Sequence, residues 1–472
     1  MLNWIAFADM VVCGLTSRLV WIAAAVRLVA VASTMAVGDA RGAVPRGGER
    51  SVDHTASLQR RIDECFLSGG GTVEVEKGDY HVKALRLRSN VRLLLRSGAR
   101  LHASRDSADF DGVVQNDSVE PFDGSLLDHA NIIAYRSTNR WNNAVIRIYR
   151  AANVTIEGED GSEIDGCNGY DPHGEEGFRG VHGISAFFSS NLVFRGYTVR
   201  DAGNWAHRIA LCSDVVVEGL KIRGGHDGLD FHCCDRVQVR DCDIRSGDDC
   251  VAGFDNIDLT VRNCRLNSAC SIFRIGGHNI LCEDLDVFAP AEYCHRGSLK
   301  RDFMSELVDG ITPKGHGRHS TLSFFTYYGN EIARRRPGKI VFRNCRIGAV
   351  DKLMHYNFSG NETWQRGTPL SDVTFENVVA VGLKGASTVY STSDAPVKIS
   401  MRGCRLDFAK GARAMFCGGN VGTLELERVG VSGIDGALFQ SWSGAPEIRA
   451  SEVEGVKPAV VKGEGAFHVR PI

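Results

Sequence analysis

Three acids stand out by type and spacing: Asp227, and twenty-one residues later the adjacent pair Asp248 and Asp249. Counted from the first residue of two recurring segments, at Asp214 and Arg236, both Asp227 and Asp249 fall thirteen places on. If the segments are strands stacked about 4.8 Å apart, the two acids sit side by side with Asp248 next to them. An isolated Asp in a repeat is usually a solvated turn residue. Three together differ, because crowded like charges cost free energy unless one carboxyl keeps its proton. That separation of proton affinities equips one acid to donate and another to accept, the combination that hydrolyses glycosidic bonds. Three residues further along each unit, a second column reads His207, Asp230, Ala252 and Arg274 on successive repeats. Their neighbours Leu229, Val251 and Phe273 are predicted to face inward, and the small Ala252 leaves room for a sugar ring. The placement assumes strict register, which a bulge would shift by one residue.

The elements that must hold these acids repeat. Asn191-Leu-Val-Phe-Arg-Gly196, Asp214-Val-Val-Val-Glu-Gly219, Arg236-Val-Gln-Val-Arg-Asp241, Asp258-Leu-Thr-Val-Arg-Asn263 and Asn279-Ile-Leu-Cys-Glu-Asp284 begin 23, 22, 22 and 21 residues apart. Within each unit the second and fourth residues are apolar and the sixth is Gly, Asn or Asp, suited to the left-handed backbone of a tight corner. The seventh and ninth are apolar again, so two short strands flank a bend. A period of this length without amphipathic helices predicts an all-β fold, a parallel β-helix in which each coil buries its inner face only by stacking on neighbours. Similar units at Asn153, Lys339, Asp372, Pro396, Gly422 and Pro446 carry the solenoid nearly to the end. Ahead of the coils, Thr55 to Phe66, with Leu58, Ile62 and Cys65 at helical spacing and Gly69-Gly70-Gly71 following, predicts a capping helix. The expected organisation is a signal peptide over 1–40, cap and first coils over 45–115, and β-helix over 116–472, with loop insertions at about 159–190 and 288–338.

The signal-peptide expectation rests on Arg18, the apolar run Leu19 to Ala36 broken by Arg27, and small residues at Thr34-Met35-Ala36 and Gly38-Asp39-Ala40. It predicts a secreted or periplasmic protein with no stable membrane insertion once the leader is removed. The 472 residues, 43% hydrophobic and 24% charged, can bury a large core. Lys and Arg total 55 against 57 Asp and Glu, and this balance gives no reason to expect nucleic acid as partner. The fifteen cysteines are odd in number, and Cys242, Cys264, Cys345 and Cys404 close the same local pattern, as buried core thiols would. Cys167 and Cys233-Cys234 remain open as bridge partners.

These residues resemble family 28 of the glycoside hydrolases, the polygalacturonases and their relatives, as a divergent member. Ser51-Val-Asp-His-Thr-Ala-Ser-Leu-Gln59, Gly69-Gly-Gly-Thr-Val73 and Ser89-Asn-Val-Arg-Leu93 are similar to the family's opening, and Asn204-Trp205 to a tryptophan signature one coil before the site. His226-Asp227-Gly228-Leu229-Asp230 resembles its Asn-Thr-Asp-Gly-hydrophobic-Asp motif, and Gly247-Asp248-Asp249-Cys250 its Gly-Asp-Asp-Cys motif. The resemblance implies a right-handed, single-stranded, pectin-lyase-like β-helix and an inverting hydrolase needing no metal or cofactor. Asp248 would be the general acid, with Asp227 and Asp249 activating water. The expected partner is a pectic or related poly- or oligosaccharide, acted on by a monomer.

The chain also departs from the family. Where a Gly-His-Gly motif belongs it has Ala269-Cys270-Ser271, while Gly315-His316-Gly317 lies out of register in a loop. The Arg-x-Lys motif that holds a substrate carboxylate has no clear counterpart. Arg274 is the best substitute, and Lys314, Arg318, His319, Tyr327 and Tyr328 are loop candidates. Two other readings stand beside the hydrolase: a β-helix lyase or epimerase, which would need calcium ligands and a basic residue as base, and a non-catalytic carbohydrate-binding β-helix.

Overall fold

In the computed structural model the described residues are 52–111, 143–299, 317–330, 333–358 and 365–462. The expected leader lies outside them. Among the described residues no helix is long and apolar enough to cross a membrane.

The chain is all-β, and its named strands pair in parallel, each with the strand one turn earlier and one turn later. One turn supplies Ser190–Arg195, Thr198–Arg200 and His207–Ala210; the next supplies Ser213–Glu218, Lys221–Gly224 and Leu229–His232. Local sequence explains the corners. The sixth residues Gly196, Gly219, Asp241, Asn263 and Asp284 all have positive φ, and so do the first residues Asn191, Asp214, Arg236, Asp258 and Asn279. Gly, Asn and Asp adopt that backbone at least cost. Side-chain bonds then link equivalent corners, as from Asn191 to Asn153 (2.8 Å) and from Asn153 to Asn90 (2.7 Å).

Alternation sends the second and fourth residues inward, and Leu192, Phe194, Val215, Val217, Val237 and Val239 are buried in one continuous core. Each such side chain contributes about 1.5–3 kcal/mol relative to its exposed state. Cys242, Cys264, Cys345 and Cys404 lie in the same core as free thiols, and the described cysteines, Cys167, Cys233 and Cys234 among them, form no disulfide. The helix Thr55–Leu67 buries Leu58 and Ile62 and lies against the strands Gly71–Val75, Leu85–Leu87 and Val91–Leu95. It ends at Ser68, just before the glycine triplet, and a Cβ on Gly70 would lie 2.4 Å from the Asn90 carbonyl oxygen.

Both expected loop insertions are shorter than the sequence suggests. The first contains the coil strands Glu163–Asp165 and His182–Phe187, which confines the excursion to 166–181. The second contains the coil strand Ser323–Tyr327. Glu163–Asp165 has only three residues, and His182–Phe187 and Ser323–Tyr327 are buried along their whole length, so none shows the in-and-out alternation that marks the other strands.

Candidate active site

The acids stand at the turn before two neighbouring strands. Leu229 pairs with Val251, a 22-residue step that carries Asp227 onto Asp249. The contact is direct, because the Asp249 backbone N–H donates to Asp227 Oδ1 at 3.1 Å, and the Ser271 N–H one turn on donates to Asp249 Oδ1 at 2.9 Å. Asp248 is fixed through its backbone. Its backbone carbonyl accepts from Ser246 Oγ at 2.8 Å and Ser268 Oγ at 2.5 Å, fixing where its side chain leaves the backbone. One oxygen from each of Asp227, Asp248 and Asp249 lies within 4.8 Å of the others, and all three residues are buried.

Two excursions bring nitrogen groups to Asp248. Arg179, from 166–181, donates from Nη2 to Asp248 Oδ2 at 3.1 Å. The rest of its guanidinium is anchored on Glu176 (3.0 Å), Asn204 (3.4 Å) and His226 Nδ1 (3.2 Å). His295 approaches the same Oδ2 with Nε2 at 3.6 Å. Its loop is pressed onto the coil corner. A Cβ on Gly247 would lie 2.1 Å from the Cys294 carbonyl oxygen, and one on Gly225 would lie 2.2 Å from Arg296 Nε. Buried Arg296 reaches the Ala202 carbonyl at 3.4 Å and Asn168 Oδ1. Gly247→Ala is therefore expected to lift this loop, costing about 1–3 kcal/mol of stability and, by moving His295, about 10²-fold in turnover. Thermal unfolding and steady-state rates check this; unchanged activity would show that His295 does not depend on the corner.

The surroundings divide the proton affinities. Burial, then the charges of Asp248 and Asp249, push the Asp227 carboxyl well above the usual range. Burial also acts to raise Asp248, but the His295 hydrogen bond and charge, with Arg179 and Arg274, override it and hold Asp248 well below. Burial and the Asp248 charge raise Asp249 to about 6, against the pull of Arg274, whose Nη1 is 3.6 Å from Asp249 Oδ2. Burial, with Arg296 and Arg179, keeps His226 neutral, fit to accept from Arg179. The three oxygens are also close enough to ligate a cation, yet Arg179 and Arg274 already supply positive charge there.

The second column needs one correction. His207 pairs with Leu229, and it is Arg208 that pairs with Asp230, which pairs with Ala252, which pairs with Arg274. His207 instead points into the core, hydrogen-bonded to Tyr197 Oη at 2.9 Å, where burial lowers its pKa to about 3. The cause is a turn of unequal length: six residues separate Arg200 from His207, and five separate Arg223 from Leu229. Reading turn lengths separately from strand lengths would have found Arg208, whose guanidinium stacks 4.3 Å from the Phe187 ring centre.

Asp230 lies beside the acids and holds His232 at 2.6 Å. Arg274 stacks 4.6 Å over Tyr328, and Tyr328 packs edge-on against Phe254, making a cationic and aromatic wall. Arg318 and His319 are placed differently from the sequence reading. Arg318 Nε donates to the Ala269 carbonyl at 3.1 Å, and His319 Nδ1 meets the Ala291 carbonyl at 2.9 Å, so both brace the His295 loop. Tyr327 is a core residue donating to the Thr368 carbonyl. Lys314 and His316 lie outside the described residues. Nothing in the local sequence of Arg179 or His295 marked them; each reaches the acids only because its loop folds back over the coil.

Stacked parallel turns carrying a buried trio of acids define an all-β solenoid with an acidic centre. Residues 104–282, which span all three acids, match the family described as glycosyl hydrolases family 28. A polygalacturonase of Juniperus ashei is 24% identical over 45% of this chain, and the chain spans only 40% of that relative's length. Among solved structures, a family 28 exopolygalacturonase of Yersinia enterocolitica is 16% identical, with a TM-score of 0.60 over 87% of this chain and 76% of its own. PfbA, a surface adhesin of Streptococcus pneumoniae, is 12% identical, with a TM-score of 0.53 over 84% of this chain and 91% of its own. At these identities the two structures attest the shared fold alone.

Proposed function

We propose that the protein is a glycoside hydrolase that cleaves O-glycosidic bonds in a pectic or related polysaccharide containing uronic acid or galactosyl units. The observation that carries this reading is the buried trio Asp227, Asp248 and Asp249, gathered within 4.8 Å inside the region matching family 28. Their unequal surroundings equip one acid to protonate the leaving oxygen and another to activate water. Arg274 over Tyr328 supplies a cation for a sugar carboxylate and an aromatic face for a ring. The right-handed winding, the capping role of the helix Thr55–Leu67, the inverting outcome, action as a monomer and export through residues 1–40 belong to the same reading.

Incubating the protein with polygalacturonate, galactan and uronic-acid-containing glycans tests it. Hydrolysis releases new reducing ends with saturated sugars, while a lyase leaves an unsaturated ring absorbing in the ultraviolet. Ala269-Cys270-Ser271, standing where the family's Gly-His-Gly belongs, makes binding without turnover the second reading, and retention of a glycan with no reducing ends released would favour it. Proton NMR of the first product reads the anomeric outcome.

A further inference from the structure

Parallel register sets His102 beside Asp165, on the strands Ala99–Ala103 and Glu163–Asp165. Their inward neighbours Leu101 and Ile164 are fully buried, so alternation turns His102 and Asp165 outward. Two residues on stands Cys167, outside the apolar core that holds Cys242, Cys264, Cys345 and Cys404. Its backbone N–H donates to Asp165 Oδ1 at 2.7 Å, while Asp165 Oδ2 meets His102 Nδ1 at 3.2 Å. One atom each from His102, Asp165 and Cys167 lies within 4.8 Å of the other two. None of the three catalytic candidates belongs to this cluster.

We propose that His102, Asp165 and Cys167 bind one divalent ion of the zinc class, which pins the root of the 166–181 excursion. One nitrogen, one oxygen and one sulfur suit such an ion, whereas calcium and magnesium take oxygen ligands. Tetrahedral bonds of about 2.0–2.1 Å set a nitrogen and an oxygen about 3.3 Å apart, and His102 Nδ1 and Asp165 Oδ2 already stand at 3.2 Å. Bringing in the thiol needs about 1 Å of closure, given a zinc–sulfur bond of about 2.3 Å. The other ring nitrogen of His102 carries the independent observation. Nε2 meets Asp79 Oδ1 at 2.8 Å, and a second carboxylate on the far nitrogen is what fixes the tautomer and orientation of a ligating imidazole. His81 stacks on the same ring, with centres 5.3 Å apart. A carboxylate and a thiolate balance the two charges of the ion, and binding expels the thiol proton to solvent. His102 is 21% exposed and Asp165 18%, which leaves a fourth position for water. The role is structural. Asn168, next to Cys167, accepts from Arg296, and the same excursion carries Arg179 to Asp248, so an ion here steadies the feet of both loops over the acids. Asp79 is a positioning residue, acting through His102.

Full-length protein freed of metal with a chelator is titrated with Co²⁺, whose absorption reports its ligands, and then with Zn²⁺. One equivalent of Co²⁺ is expected to bind with a thiolate-to-cobalt band in the near ultraviolet, to raise the thermal unfolding midpoint, and to be displaced by Zn²⁺, while Ca²⁺ and Mg²⁺ do none of these. Cys167→Ser is expected to lose the thiolate band. Asp79→Asn, which touches no ion, is expected to keep the band and to weaken affinity by about 10–100-fold, and His102→Gln to weaken it further. Circular dichroism of each metal-free variant checks that the fold is kept. The rival account has His102 bridging Asp79 and Asp165 as an imidazolium with no ion. Wild-type protein that binds no equivalent of Co²⁺ or Zn²⁺, or a thiolate band that survives Cys167→Ser, overturns the proposal.

Discussion

Asp248→Asn is expected to lower turnover by about 10²–10⁴-fold while leaving the fold intact. The substitution keeps the shape of the side chain and removes its charge. The chemistry needs the ionisable carboxyl: an amide neither protonates a leaving oxygen nor takes a proton from water. Arg179 loses one partner but keeps Glu176 at 3.0 Å and its contacts to Asn204 and His226, so its guanidinium is not stranded. Steady-state rates with circular dichroism and thermal unfolding check the two halves separately. A variant that keeps near-normal activity would remove Asp248 from the chemistry, and with it the reading of the trio.

The second large effect concerns the solenoid interior. Phe342 is fully buried, and its ring centre lies 4.9 Å from Phe324, 5.0 Å from Phe325, 5.4 Å from Phe375 and 5.5 Å from Phe273. Rings from several turns therefore meet at one side chain. Phe342→Ala is expected to cost about 3–5 kcal/mol of stability, the transfer of a large apolar group plus the cavity it leaves. Because each turn contacts mainly its neighbours, loosening there should spread along the stack before the ends melt. Denaturant unfolding measures the loss, and hydrogen exchange locates it. A shift no larger than that of a surface substitution would mean that these turns repack around the gap.

Much of this was legible in the chain itself. The recurrence of apolar pairs at the second, fourth, seventh and ninth places of a 21- to 23-residue unit, with Gly, Asn or Asp at the corner, predicted the stacked strands, the positive-φ corners and the cysteines in the core. Strands alternate with a fixed period, so facing inward or outward follows from counting. The same counting brought Asp227 and Asp249 together, because the intervening turn has the same length in both coils. It failed for His207, where the preceding turn carries one more residue and every later side chain changes face.

Tertiary structure alone decided the electrostatics of the site. Arg179 lies 69 residues before Asp248 and His295 lies 47 after it, each in an excursion outside the repeat, so no periodicity could bring them to one carboxylate. Long-range packing does that: Gly225 and Gly247 let one loop lie flat on the coil, and Arg296 ties it down. Sequence determined that three acids would share a patch, since their spacing is local and periodic. Which of them keeps a proton depends on groups brought from elsewhere, because a charge acts through distance in space and not along the chain.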